Sequence, residues 1–296
     1  MHWIILGGQG QVGRALARQA AAQGISALSP NREDLDLHNP APLRELITQQ
    51  RPDVIINAAA YTAVDRAEDE AEEAFAINTA APGEIAELCQ QLSVPLIHFS
   101  TDCVFDGEKD RPYEESDPVN PVSVYGRSKE AGEAAIRRVL PQHIILRTSW
   151  VFSVDGSNFV HAMLRLANGR DHLRIVDDQI GGPTSATYLA GAVDQITQQI
   201  GGESAPWGTY HIAGADPVSR YSFAKEIFNI WTQLTGMMAP SLEAISTDAF
   251  PTPAARPKNS VLDCRKIQAT FGVAPCDWRR DLKRVLEDLT VNEVRQ

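Results

Sequence analysis

Over its first half the chain alternates short apolar runs with amphipathic stretches of helical period. Residues 3–6 form a run of strand type that enters Gly7-Gly8-Gln9-Gly10-Gln11-Val12-Gly13, after which Ala15, Leu16 and Ala20 begin a helical pattern. Further strands are predicted at 25–28, 54–57, 94–99 and 144–147. Helices are predicted near 42–50, as one long helix opened by the acidic cluster 65–73, and from Tyr125 onward. This alternation predicts a parallel sheet covered by helices on both faces. After Trp150 it weakens: helical patterns cover 158–168, 186–199, 221–234 and 280–289, a strand falls at 210–212, and a Pro-rich loop runs through 251–257.

The pattern therefore predicts an α/β fold, a Rossmann-like doubly wound parallel sheet with a smaller C-terminal α/β substrate lobe. Residues 1–150 would form the NAD(P)-binding domain, with a later return of chain near 185–230. Residues 151–184 and 231–296 would form the lobe that closes a cleft over it.

Composition narrows the function classes. The 296 residues are 43% hydrophobic and 22% charged, as in an ordinary globule, and the formal net charge of −11 argues against a general nucleic-acid or acidic-membrane binder. Cys89, Cys103, Cys264 and Cys276 lack metal-like spacing and read as lone thiols. No apolar run approaches membrane-spanning length and no leader pattern precedes the glycines, so a cytoplasmic protein is expected.

Candidate chemistry lies in two places. Strand, glycine-rich turn and helix in that order suit a dinucleotide, because backbone N–H groups at a helix N-terminus accept a pyrophosphate. Gly8-x-Gly10-x-x-Gly13 and Gly7-x-x-Gly10-x-x-Gly13 both fit. The second strand ends at Ser29-Pro30-Asn31-Arg32 without an early acid; Arg32, if not simply a surface residue, can pair with a 2′-phosphate and favours NADPH. Asp36 and Leu37 could flank an adenine. The second place is Tyr125-Gly126-Arg127-Ser128-Lys129. A tyrosine and lysine four apart share a helix face, so the ammonium can lower the phenol pKa, and Thr101 upstream could bond the same substrate oxygen. By itself the spacing also describes a solvated helix face.

Together these residues resemble the extended short-chain dehydrogenase/reductases. Longer strings are similar to the dTDP-4-dehydrorhamnose reductase family within them: Gly10-Gln11-Val12-Gly13, residues 53–65, residues 100–107, Val124 to Lys129, residues 147–151, Asp178-Gln179-x-Gly181-x-Pro183-Thr184 and Arg256-Pro257-x-x-Ser260. The resemblance covers nearly the whole chain. It implies reduction of the C4 ketone of dTDP-4-dehydro-L-rhamnose to dTDP-L-rhamnose by NADPH, with NADH as the alternative. Tyr125 would donate the proton, Lys129 would lower its pKa and hold the nicotinamide ribose, and Thr101 would orient the carbonyl. It further implies substrate contacts at Asp102, Trp150 (a flat apolar face) and Arg256 (diphosphate), with cofactor contacts at Gly7, Gly10, Gln11, Val12, Gly13, Asp36, Leu37, Ala60, Tyr61 and Thr62.

Two departures from the family matter. Cys103 stands where tyrosine is frequent, and a contact there would be lost. Ala15 and Thr187 stand where some members carry glutamates that hold Mg²⁺ between subunits, which argues against a magnesium-linked dimer. A monomer or homodimer is expected, with a dTDP-sugar as partner and neither nucleic acid nor membrane. Rival readings are an epimerase or another 4-ketoreductase acting on a nucleotide sugar, and a non-catalytic subunit resembling the methionine adenosyltransferase β subunit. Intact Thr101, Tyr125 and Lys129 favour the enzyme.

Overall fold

A computed structural model describes residues 1–31, 35–202 and 205–294. The strands are β1 (His2–Leu6), β2 (Ser26–Leu28), β3 (Val54–Asn57), β4 (Leu96–Thr101), β5 (His143–Thr148), β6 (Val151–Phe152), β7 (His172–Val176), β8 (Ile180–Gly181), β9 (Thr184–Ser185), β10 (Gly208–His211), β11 (Val218–Ser219) and β12 (Ser241–Ile245). The helices are α1 (Gln11–Gln23), α2 (Pro40–Gln50), α3 (Ala71–Phe75), α4 (Ala81–Leu92), α5 (Val124–Val139), α6 (Phe159–Ala167), α7 (Ala186–Thr197), α8 (Arg220–Thr235), α9 (Arg265–Phe271) and α10 (Trp278–Val294).

Six strands pair in parallel in the order β10-β5-β4-β3-β1-β2. Successive side chains on a strand point to opposite faces. Trp3 and Ile5 accordingly join Ile56, Ile97 and Leu146 in a core with α1 and α7, while Ile4 and Leu6 join Ile55, Leu96 and Ile145 in a second core with α2 and α4. Burial on both faces is why these strands read as unbroken apolar runs. The strand order reverses between β1 and β3, which leaves a crevice beyond their C-terminal ends.

The smaller lobe has its own core, built from Phe152, Val160, Met163, Leu173 and Ile175 with Phe223, Ile227 and Trp231 of α8 and Trp278, Leu282 and Leu286 of α10. Of the stretch 185–230, α7 and β10 pack in the first core and α8 packs in the lobe. Of 231–296, Ile267 and Phe271 of α9 pack in the first core.

Three local differences from the sequence reading have physical causes. The run predicted at 94–99 is paired at Leu96–Thr101, with Ser100 opposite Arg147 and Thr101 opposite Thr148, so both hydroxyls lie within the sheet's end. The long helix expected from the acidic cluster is broken: a 3₁₀ turn at Arg66–Glu68 precedes α3, and a π-helical turn spans Ala76–Ala80. Pro82 lacks the N–H that would bond the Asn78 carbonyl; α5 packs there instead, so closely that a Cβ on Gly132 would fall 2.0 Å from that oxygen. Half of the residues in the β7–β12 pair are exposed, and the pair gave no continuous apolar run.

Candidate active site

The crevice holds a cavity of about 280 Å³ lined by Gly7, Gly8, Gln9, Gly10, Asn31, Asp36, Leu37, Ala58, Ala59, Ala60 and Tyr61. Gly7 has φ +77°, and a Cβ there would sit 2.5 Å from the Ala59 nitrogen; one on Gly13 would sit 2.2 Å from the Gly7 carbonyl oxygen. Those two glycines serve the close packing of turn, helix and β3. Gly10 differs. A Cβ on it would meet only the Gly7 oxygen, at 3.3 Å, and otherwise point into open space. Gly10 also caps α1 without a side chain, so no side chain covers the first-turn N–H groups. A cradle that a Cβ would fill, at a helix N-terminus beside the cavity, fits a dinucleotide pyrophosphate.

Other expected cofactor contacts are placed less uniformly. Gln11 turns away from the cavity, accepting from Asn158 Nδ2 at 2.9 Å, and ties the glycine turn to the loop before α6. Val12 packs on the first core. Thr62 is exposed and outside the cavity lining. Arg32 lies outside the described residues. The Tyr61 hydroxyl bonds Glu70, and its backbone N–H and C=O are both held by the buried Asn78 amide, at 2.9 and 3.0 Å.

At the end of β4, Thr101 Oγ1 donates to Asp102 Oδ1 at 3.0 Å and accepts from the Cys103 N–H at 3.1 Å. Helix α5 begins beside it, capped by Ser123, whose Oγ accepts from the Gly126 N–H. Only glycine fits at 126: a Cβ would fall 2.2 Å from the Cys103 carbonyl oxygen. That approach brings Tyr125 near Thr101, whose side chain acts on the phenol. Burial pushes the Tyr125 phenol up from its ordinary value, with Cys103 and Asp102 adding to the effect and the Thr101 side chain opposing it. Burial also raises the Asp102 carboxyl, opposed by hydrogen bonds from Ser260 and Thr101 and by the Arg220 charge.

Lys129 is 1% exposed and donates to the Phe99 carbonyl oxygen at 2.7 Å, with His98 Nε2 3.3 Å away. Burial brings it down to about 8, while the Glu133 carboxylate on the next turn opposes that fall. The shared helix face is as expected, but the ammonium is taken up by β4 and does not figure among the groups that shift the Tyr125 phenol. The phenol's ordinary pKa is raised here, not lowered, because desolvation outweighs any distant charge.

Of the other expected substrate residues, Trp150 follows β5 and packs against the lobe core, and Arg256 lies in the loop between β12 and α9. Trp150 has a left-handed backbone (φ +46°), and Gly181 packs so tightly on it that a Cβ there would fall 2.5 Å from indole Cε2. The Arg220 guanidinium covers the ring at 3.6 Å, so the apolar face expected at Trp150 is occupied by a cation. Arg256 pairs with Asp65 at 2.9 Å, and its charge acts on both Cys103 and Arg220. Sequence reasoning missed Arg220. Its one signal was a cation immediately before a predicted helix, near the N-terminus where the macrodipole disfavours it. Ala15 is buried in the first core and Thr187 is exposed on α7. Among the described residues no group of three or more His, Cys, Asp or Glu side chains could hold a metal, and no helix is long and apolar enough to cross a membrane.

A switch-point cavity cradled by glycines, with threonine, tyrosine and lysine at the adjoining strand end, defines a nicotinamide-dependent oxidoreductase of the extended short-chain type. The chain belongs to the family described as RmlD substrate binding domain, whose profile matches residues 1–291. It is 42% identical to a dTDP-4-dehydrorhamnose reductase of Sinorhizobium fredii over 97% of each chain. A dTDP-4-dehydrorhamnose reductase of Clostridium acetobutylicum superposes with a TM-score of 0.91 at 35% identity, over 98% of this chain and 100% of that one. The Bacillus anthracis dTDP-4-dehydrorhamnose reductase in complex with NADP gives 0.90 at 31% identity, over 97% and 99%.

Proposed function

We propose that this protein reduces the C4 ketone of dTDP-4-dehydro-L-rhamnose to dTDP-L-rhamnose, with NADPH preferred as the reductant. The observation that carries this reading is the meeting of the Thr101 and Tyr125 hydroxyls at the sheet edge beside the glycine cradle. When bound, the nicotinamide supplies the hydride. The chain's residues do the rest. Thr101 and Tyr125 hold the ketone oxygen, which gains negative charge as the carbon is reduced, and Tyr125 passes its proton to that oxygen. A phenol raised by burial starts protonated at neutral pH, as a proton donor must.

Lys129, buried below, would hold the ribose side of the cofactor. Arg220 and Arg256 take the substrate diphosphate, since guanidinium groups match phosphate geometry; Arg256 would exchange Asp65 for it. Trp150, backed by Gly181, orients Arg220. Asp102, tied to Ser260 and Thr101, fixes the sugar-facing wall. The test is NADPH consumption by the purified protein with dTDP-4-dehydro-L-rhamnose generated in situ, run in parallel with NADH and after EDTA treatment. Formation of dTDP-L-rhamnose, faster with NADPH, is expected. Tight NADPH binding without turnover would overturn the substrate assignment.

A further inference from the structure

Beneath the site a chain of buried polar groups links the cofactor-side segment to Lys129, and its donors and acceptors can be counted. The Asn57 amide oxygen accepts from the Ala59 N–H at 3.0 Å, which fixes the amide orientation and leaves Asn57 Nδ2 as a donor. That donor meets His98 Nδ1 at 3.1 Å. Nδ1 must therefore be the lone-pair nitrogen, and in a neutral imidazole the proton then sits on Nε2. His98 has no exposed surface, and burial together with the Lys129 charge holds it well below its ordinary pKa, so the ring is neutral. Its Nε2–H is left pointing at Lys129 Nζ, 3.3 Å away.

We propose that His98 is a positioning residue for Lys129: Asn57 locks its ring as the Nε2–H tautomer, and the ring presents a donor to the lysine nitrogen that favours the neutral amine over the ammonium. A protonated lysine would face this donor with another N–H, whereas a neutral amine accepts from it. The same count excludes His98 as a proton relay, because its far nitrogen is capped by an amide donor and the chain ends at a backbone N–H. The other groups around the lysine act in known directions. Glu133, one turn along α5, favours the ammonium and is itself held by Arg147 of β5 and Ser100 of β4. The Phe99 carbonyl accepts from the lysine in either state. Tyr125 of α5 and Asp102 and Cys103 beyond β4 are further titratable groups at the site, and none figures among the causes of the lysine's shift.

The assignment of Lys129 to the reaction rests on the function proposed above, but the hydrogen-bond pattern does not. Two measurements therefore separate the ideas. In protein labelled with ¹⁵N-histidine, the His98 signals should show a protonated Nε2 and bare Nδ1 across pH 6 to 9. Finding the proton on Nδ1 would overturn the proposal without any variant. In protein with ¹³C-labelled lysine, the Lys129 Cε titration in His98→Gln, whose amide oxygen can turn to accept, should move upward by about one pH unit. The alkaline limb of kcat should follow it. A Lys129 titration that stays put or falls would overturn the proposal. Absence of turnover in the wild-type protein with an upward-moved lysine titration would count against the function and leave the His98 assignment standing.

Discussion

The Arg220 guanidinium lies 3.6 Å from the centre of the Trp150 ring and 5.1 Å from that of Phe159, in a half-buried position that brings it down to about 10. A cation stacked on aromatic faces, with Asp102 acting on it through charge alone, has N–H donors to offer another anion.

For Arg220 the expectation is a binding defect. Arg220→Ala should raise KM for the dTDP-sugar by about 10–100-fold, the loss of one charge-assisted contact of roughly 1.5–3 kcal/mol. Cofactor affinity should be unchanged. Arg220→Lys should recover little, because an ammonium cannot match the planar fork. An unchanged KM in Arg220→Ala, measured by steady-state kinetics, would remove Arg220 from the substrate site.

The glycines of the turn separate folding from binding. Gly7→Ala forces a side chain onto φ +77° with its Cβ 2.5 Å from the Ala59 nitrogen, so a lowered Tm is expected. Gly10→Ala meets nothing in the protein closer than 3.3 Å. It should keep the wild-type Tm within about 2 °C, since a surface change of this kind is worth ~0.5 kcal/mol, yet weaken NADPH binding at least tenfold by fluorescence titration. Equal NADPH affinity in Gly10→Ala and wild type would mean that the cradle is empty of function.

Much of this was legible beforehand for identifiable reasons. Strands β1 and β3 to β5 are buried on both faces, and that produces apolar runs that few other structures produce. The Thr101, Tyr125 and Lys129 positions could be read because helix spacing and the sheet's C-terminal edge are local rules. The electrostatics were not legible. Whether Lys129 faces its helix neighbour or the Phe99 carbonyl is decided by how α5 packs on β4, which no spacing encodes. The meeting of Arg220 with Trp150 joins residues far apart in sequence. The π turn needed knowledge of what packs at Asn78, although Pro82 was in plain view.

Glu133 is completely buried and accepts from Ser100 Oγ at 2.5 Å, from Arg147 Nε and Nη2 at 2.9 and 2.6 Å, and from Arg137 Nη1 at 2.8 Å. It thereby ties α5 to β4 and β5 under the site. These partners hold its carboxyl below the ordinary range, against burial, which alone would raise it. Glu133→Gln leaves the buried Arg147 uncompensated and should cost about 3–5 kcal/mol, lowering Tm by roughly 10 °C. The sign with pH follows from the depressed value. The carboxylate's contribution is whole above the unfolded glutamate pKa of about 4.3 and is lost as pH falls through the lower folded value. Wild-type Tm should therefore drop steeply below about pH 4, with the Glu133→Gln curve flatter by calorimetry. Parallel curves would show that another carboxylate governs acid unfolding.

The two hydroxyls at the sheet edge serve one oxygen, and that makes their substitutions non-additive. Tyr125→Phe removes the proton donor while keeping the ring, so kcat should fall by about 10²–10⁴ with NADPH affinity unchanged. Thr101→Val removes one hydrogen bond to the same oxygen and should cost about 10²-fold. Groups that act as a unit do not add their losses, so the double variant should be little slower than Tyr125→Phe alone. The pH profile gives an independent reading. The phenol is raised by burial and keeps its proton throughout the working range, so its ionisation cannot set the alkaline limb. Lys129, brought down to about 8, loses its charge first, and kcat should decline above that pH. Losses that multiply in the double variant would place the two hydroxyls on different steps of the reaction.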